Sequence, residues 1–168
     1  MTRAKDTTRP EPALSAWEAR LRNEIDGDFL LLGAGNDMMG DDAAGPSVAR
    51  GLQERGINCA INAGSCPENY LGRVREVDPR HLIVADACDI GQEPGKIALL
   101  GDDDFAGRGA STHAAGVRPL SAYLSRTCTT RRWVLAVQPV RIELGADMSR
   151  AVERAVERIV SSRVWGEL

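Results

Sequence analysis

The sequence predicts an α/β sandwich with a mostly parallel sheet. Short continuous apolar runs recur along the chain, each the length of a buried strand. Between them lie segments whose apolar residues return at helical spacing. Proline and glycine punctuate several of those segments, as at helix starts and stops. Strands that alternate with helices build parallel sheets, and right-handed crossovers then place helices on both faces.

The elements follow in order. Residues 1–10 read as a frayed tail. Leu14, Trp17, Leu21 and Ile25 form one helical stripe that Gly27 ends. Phe29-Leu-Leu-Leu32 reads as a buried strand closed by Gly33. Pro46 opens a helix carrying Val48, Ala49 and Leu52, and Gly56 closes it. Cys59-Ala-Ile61 reads as a second strand. Pro67 opens a helix with Tyr70, Leu71, Val74 and Val77, stopped by Asp78-Pro79. His81-Leu-Ile-Val-Ala-Asp86 is the clearest strand and ends on an acid. Lys96–Leu100 reads as a further strand, and a loop holding Thr112-His113 leads to a helix near Leu120–Leu124. Trp133–Val137 is the last strand. Ser149 is placed to cap a final helix striped by Val152, Ala155, Val156, Ile159 and Val160.

Bulk properties narrow the function classes. A chain of 168 residues favours one domain with a core of its own. The formal net charge of −3 gives no basic footprint, so no nucleic-acid partner is expected. Arg131-Arg132 reads as a solvated strand entry. No run is long enough to span a bilayer and no signal segment is visible, so no membrane partner and a cytoplasmic location are expected. Cys59, Cys66, Cys88 and Cys128 form no C-x-x-C pair, which leaves zinc-ribbon and thioredoxin readings without support. They read as small buried apolar residues.

The loop Gly33-Ala-Gly-Asn-Asp-Met-Met-Gly-Asp-Asp42 invites a dinucleotide reading, because it joins a strand to a helix. The G-x-G-x-x-G spacing fails at Met38. Asp41 and Asp42 would also repel a pyrophosphate, by about 1 kcal/mol per charge pair at 4 Å even in water. No nucleotide is expected. One of the two acids is free to cap the following helix while the other faces the crevice. Met38 and Met39 read as padding for a groove or the core.

Ligands of open α/β sheets bind beyond the carboxyl ends of the strands. Asp42 follows the first strand, Asp86 closes the third, and His113 follows the fourth, so all three are expected at one end. Asp86 ends an apolar run, where burying an acid without a partner is costly. Two carboxylates and an imidazole suit a borderline divalent metal and leave a coordination position open. A carboxylate dyad is the other chemistry, and it does not need His113. His81, the second histidine, begins a strand and reads as a local packing or bonding residue. Asp89 and Asp102-Asp103-Asp104 read as turn and surface acids.

Several segments together resemble the [NiFe]-hydrogenase maturation endopeptidases. They are Gly33–Asp42, Ala63-Gly-Ser-Cys-Pro-Glu-Asn-Tyr70, His81–Ala87, Pro94-Gly95, Ser111-Thr-His113 and Gln138-Pro139. Met38-Met39-Gly-Asp-Asp42 and Pro67-Glu-Asn69 look most like the branch serving formate-hydrogenlyase-type hydrogenases. The resemblance covers residues 28–168 and leaves 1–27 as an N-terminal extension with one amphipathic helix. It implies a three-layer sandwich on a five-stranded sheet. It implies an endopeptidase that removes the C-terminal extension of the hydrogenase large-subunit precursor after nickel insertion. The nickel would arrive with that substrate, and Asp42, Asp86 and His113 are the implied metal-contacting and catalytic positions. Ala43 stands where the family usually has glycine. A nickel-sensing chaperone without cleavage activity would use the same residues, and a Rossmann-like small-ligand module is the remaining alternative.

Overall fold

The computed structural model describes residues 13–102, 104 and 130–168. The expected tail over 1–10, His113, and the helix expected near Leu120–Leu124 lie outside the described residues. The elements are α1 (Ala16–Glu24), β1 (Phe29–Ala34), α2 (Ala44–Glu54), β2 (Ala60–Gly64), α3 (Leu71–Val77), β3 (His81–Ala87), β4 (Ile97–Gly101), β5 (Arg131–Val137) and α4 (Arg150–Ser161). Short 3-10 turns at Gly40–Ala43 and Pro67–Tyr70 lead into α2 and α3.

The five strands form one sheet in the order β2-β1-β3-β5-β4. β1, β2, β3 and β5 run parallel, and β4 pairs antiparallel with β5. Alternate residues serve opposite faces. Leu31, Ile83, Ala85, Leu135 and Val137 pack with α1, α2 and α4 into the larger core. Leu30, Leu32, Leu82 and Val84 pack with Val74 of α3 on the other side. This is the three-layer sandwich the sequence implies.

Helix α1 belongs to the main core although it precedes the segment that carries the family resemblance. Trp17, Leu21 and Ile25 are all buried. Its start is fixed by a capping box: the Ser15 amide donates to Glu18 Oε2 at 2.9 Å. The other Glu18 oxygen accepts from the Ser162 hydroxyl at 2.6 Å, which ties α1 to the end of α4. Arg20 donates to the Leu99 carbonyl at 2.9 Å and so holds α1 over the β4 edge.

Two boundaries differ from expectation for a shared reason. β1 does not close at Gly33 but continues to Ala34, and α2 begins at Ala44 rather than Pro46. Both glycines in this stretch are points of close approach. A methyl on Gly33 would collide with the Gly45 carbonyl oxygen and sit 2.7 Å from Ala49 Cβ. A methyl on Gly45 would collide with the carbonyl oxygens of Ala34 and Ala85. The first turn of α2 therefore rests backbone to backbone on β1 and β3. Pro46 follows without cost, since the amide it lacks is one of the helix's orphan donors.

Gly51 makes a different contact. A methyl there would meet Val160 Cγ2 at 2.6 Å, a side-chain contact on α4 and not a backbone one. Gly45→Ala is expected to lower unfolding stability by about 3 kcal/mol or more. Gly51→Ala should cost clearly less, because helix propensity offsets part of the clash. Urea denaturation of both variants checks the ordering, and equal losses would contradict the backbone contact.

Candidate functional site

The site is built at the carboxyl end of the parallel strands. After β1 the chain turns at Gly35, whose φ of +133 is open to glycine but strained for other residues. The Asn36 amide then donates to Asp42 Oδ2 at 2.7 Å, closing the loop on the acid. That amide is one of the donors a bound phosphate would use, and Asp42 already occupies it. Asp86 lies next to last in β3 and is half-buried, like Asp42.

The two adjacent acids have opposite surroundings. Asp41 is fully buried. Its carboxylate accepts from the amides of Val140 at 2.7 Å, Arg141 at 3.1 Å and Ser149 at 2.6 Å, and from the Ser149 hydroxyl at 3.0 Å. Burial alone would raise its pKa, but these donors outweigh it and hold the carboxyl below the usual aspartate range. Asp42 has only the Asn36 amide, so burial wins and its pKa rises.

Neither acid caps α2, as the sequence suggested one would; the N-cap position is Ala43 and has no side-chain bond. Asp41 instead reaches the start of α4. Ser149 does occupy the N-cap of α4, but its hydroxyl serves Asp41 rather than its own helix. Ala43 itself has φ of −69, an ordinary helical value, so a glycine's freedom is not required there.

Among the described residues, Asp86 is the most perturbed carboxyl. Burial first, then the charge of Asp42, pushes its pKa up to about 7. The Ala87 amide and the Cys88 thiol donate to it and partly offset that rise. The charge of Asp42 therefore acts on Asp86, and the two carboxyls titrate as a pair. The Cys88 thiol is itself pushed up by burial and by both carboxylates, so it stays protonated and is not a nucleophile. The sequence reading of Cys88 as a small apolar residue is thus incomplete: it is buried, and its S–H also serves Asp86.

Gln138 is a further residue that sequence reasoning did not assign a role. Its side-chain oxygen accepts from the amides of Ile90 at 2.8 Å and Gln92 at 3.2 Å. Its amide nitrogen donates to Asp89 Oδ1 at 3.3 Å. One buried amide thereby holds the loop that follows Asp86 and Cys88. Asp89 also accepts from the Gly91 amide at 3.0 Å, as expected of a turn acid.

The direction of β4 bears on where the histidines fall. Placing His113 with the two acids relied on a parallel fourth strand. β4 is antiparallel, with Gly101 opposite Trp133, so the segment bearing His113 leaves and rejoins the sheet at the far end. The strand-end rule therefore does not place His113, which lies outside the described residues. Chain length between Asp104 and His113 still suffices to run back along a strand. His81 sits at that far end, fully buried. Its Nδ1 accepts the Trp133 indole N–H at 3.1 Å, and Nε2 faces Asp26 Oδ1 at 3.0 Å. It bonds locally and does not reach the acids' end of the sheet. Among the described residues, no group of three or more His, Cys, Asp or Glu side chains forms a ready metal cage.

The described residues form a glycine-packed α/β sandwich with two interacting carboxylates at the carboxyl end of its parallel strands. Comparison with known proteins assigns it to a family. The family model for HycI, hydrogenase maturation protease, matches residues 46–164, and the chain belongs to the hydrogenase maturation protease family. Asp86 and His113 fall inside that match, and Asp42 lies just before it. The chain is 43% identical over 79 residues to the hydrogenase 3 maturation protease of Escherichia coli K12, which covers 46% of this chain and 51% of that protein. The alignment thus spans about half the length of that curated relative. The solution structure of endopeptidase HycI from Escherichia coli superposes with a TM-score of 0.70 at 31% identity, covering 83% of this chain and 90% of that one. The crystal structure of a [NiFe] hydrogenase maturation protease HycI from Thermococcus kodakarensis KOD1 gives a TM-score of 0.72 at 26% identity, covering 85% and 92%.

The proton on Asp86 has a stability consequence with a definite sign. The folded chain binds it more tightly than the unfolded chain, whose aspartate titrates near its ordinary 3.8. Stability is therefore full below that value and is lost as pH rises through about 7. Asp86→Asn keeps the shape and removes the charge. It is expected to stabilise the protein by about 2 kcal/mol at about pH 8 and to change little at about pH 4. Urea unfolding at both pH values reads the difference. Asp41→Ala should act oppositely, destabilising by about 3 kcal/mol because buried amides and a hydroxyl lose their acceptor.

Proposed function

We infer that this chain is an endopeptidase that removes the C-terminal extension of a nickel–iron hydrogenase large-subunit precursor, acting in the cytoplasm. The observation that carries the reading is the pairing of Asp42 with Asp86 at the carboxyl end of the sheet, within a family of maturation proteases. Asp86 is held half-buried at a net cost to stability, as groups kept for function often are.

In this reading the nickel is part of the substrate. Asp42 and Asp86 offer carboxylate oxygens to it, and His113 supplies an imidazole from the segment between β4 and β5. Hard oxygen and borderline nitrogen donors suit a divalent nickel ion. Their joint hold fixes the precursor's tail against the site, so the gain is in proximity and orientation. Asp41 and Gln138 keep the two supporting loops still, and Cys88 orients the Asp86 carboxyl. No helix among the described residues is long and apolar enough to cross a membrane.

A second reading has its own observation. Both carboxyls are pushed up, Asp86 to about 7 by burial and then by the charge of Asp42, and two interacting carboxyls of this kind are the arrangement of an acid–base dyad. One carboxylate would then take a proton from water while the other gives one, and nickel would only mark the mature precursor.

Mixing the protein with nickel-loaded precursor and weighing the products by mass spectrometry tests the function. Loss of the C-terminal extension is expected, and unchanged mass favours a non-cleaving chaperone. Asp42→Ala, Asp86→Ala and His113→Ala should each slow cleavage at least a hundredfold. Full activity of His113→Ala would remove it from the site and favour the dyad. Nickel-free precursor should remain uncut if the metal positions the bond.

A further inference from the structure

Four of the five exposed large apolar side chains among the described residues lie on two loops beside the carboxylates: Met38, Val140, Ile142 and Leu144. Leu144 is 71% exposed and Met38 67%. The loops are far apart in sequence but stitched together. The Asp41 amide donates to the Arg141 carbonyl at 3.2 Å, and the Gly145 amide to the Met38 carbonyl at 2.8 Å. The Asp41 carboxylate binds the amides of Val140 and Arg141 from the same side of the junction. The residue that anchors this patch is thus the covalent neighbour of Asp42.

Exposed apolar surface costs about 25 cal/mol per Å² in water. A loop free to move would fold such residues inward. Here the buried Asp41 carboxylate prevents that, because moving the strip would leave a desolvated charge without its donors. Clustered and held exposed apolar side chains mark a surface used for association.

The strip also has the character of an unpaired strand. Apolar and charged residues alternate through Val140-Arg141-Ile142-Glu143-Leu144. The segment belongs to no sheet, and the Ile142 backbone makes no hydrogen bond to another described residue. Its amide and carbonyl are available to a second extended chain, while the neighbouring side chains select an apolar one.

We propose that Met38, Val140, Ile142 and Leu144 form the docking strip for an extended apolar segment of the precursor that flanks the bond to be cut. The assignment rests on the peptidase reading above. Its support is continuity: the strip is anchored through Asp41 to Asp42 and therefore leads an extended chain to the carboxylate pair. Two carboxylates and one imidazole recognise a metal, not a peptide, so the choice of bond needs a surface of this kind.

The test uses Ile142→Ser with Leu144→Ser in the full chain. Both side chains are exposed, so the fold is expected to survive, and circular dichroism and urea midpoints verify it. With nickel-loaded precursor, KM should rise about tenfold or more while kcat stays within about twofold. An unchanged KM, or a loss confined to kcat, would overturn the strip. Affinity is measured separately by calorimetry, using Asp42→Asn with and without the two serines so that the precursor stays intact. Equal affinities would overturn the strip whether or not the wild type cleaves. If the wild type binds but does not cut, the peptidase reading fails, and weaker binding by the double serine variant still upholds the strip. Sedimentation provides the last arm: a wild-type dimer that the serines dissolve would make the strip a self-interface and overturn the proposal.

Discussion

The backbone contact between Gly33 and Gly45 sets the geometry of everything around it. A helix normally stands off a sheet by the length of the side chains between them. At Gly33 and Gly45 there are none, and the first turn of α2 lies directly on β1 and β3. That contact brings the residues just before α2 down to the end of β3. Asp42 and Asp86 interact because two glycines have no Cβ. The arrangement costs backbone entropy at each glycine, roughly 0.5–1 kcal/mol. The buried strands on either side, with Leu31, Leu32 and Ile83 fully enclosed, supply the compensating burial.

Asp41 and Asp42 show how neighbours in sequence diverge in role. The same residue type, one position apart, has its pKa lowered in one case and raised in the other. The difference is the number of donors each carboxylate meets. Asp41 is saturated and serves as a bolt between loops. Asp42 is left with spare acceptor capacity, facing a partner of like charge. A group in that state is ready for a cation or a proton, and a saturated one is not. This contrast is the physical ground for separating scaffold from site within a single acidic pair.

Much of this was legible in the sequence because it is local. Apolar runs marked all five strands, and Pro67 and Ser149 sat at the helix starts they suggested. The two acids at the strand ends followed from topology. What escaped was non-local. Nothing in Lys96–Leu100 encodes direction, so the antiparallel pairing of β4 was invisible, and with it the flaw in placing His113 by strand end. The acceptor role of Asp41 depends on Ser149 and Val140, about a hundred positions away. Gly33 looked like a terminator because a glycine that ends a strand and one that admits a helix read alike. Cys88 was hidden for a similar reason: a buried thiol is apolar until a carboxylate is known to face it.

The antiparallel β4 has one more effect. Gly101 and Trp133, which bracket the segment bearing His113, are directly paired in the sheet. The segment is therefore an excursion whose two feet stand side by side, not a span that must bridge a fixed gap. Its length can change without pulling any strand out of register, so long as His113 keeps its reach. Asp42 and Asp86 have no such latitude, because the glycine contact clamps them. The glycine contact thus fixes the two acids through the sheet itself, while the pairing of Gly101 with Trp133 makes the sheet's register independent of the chain between them.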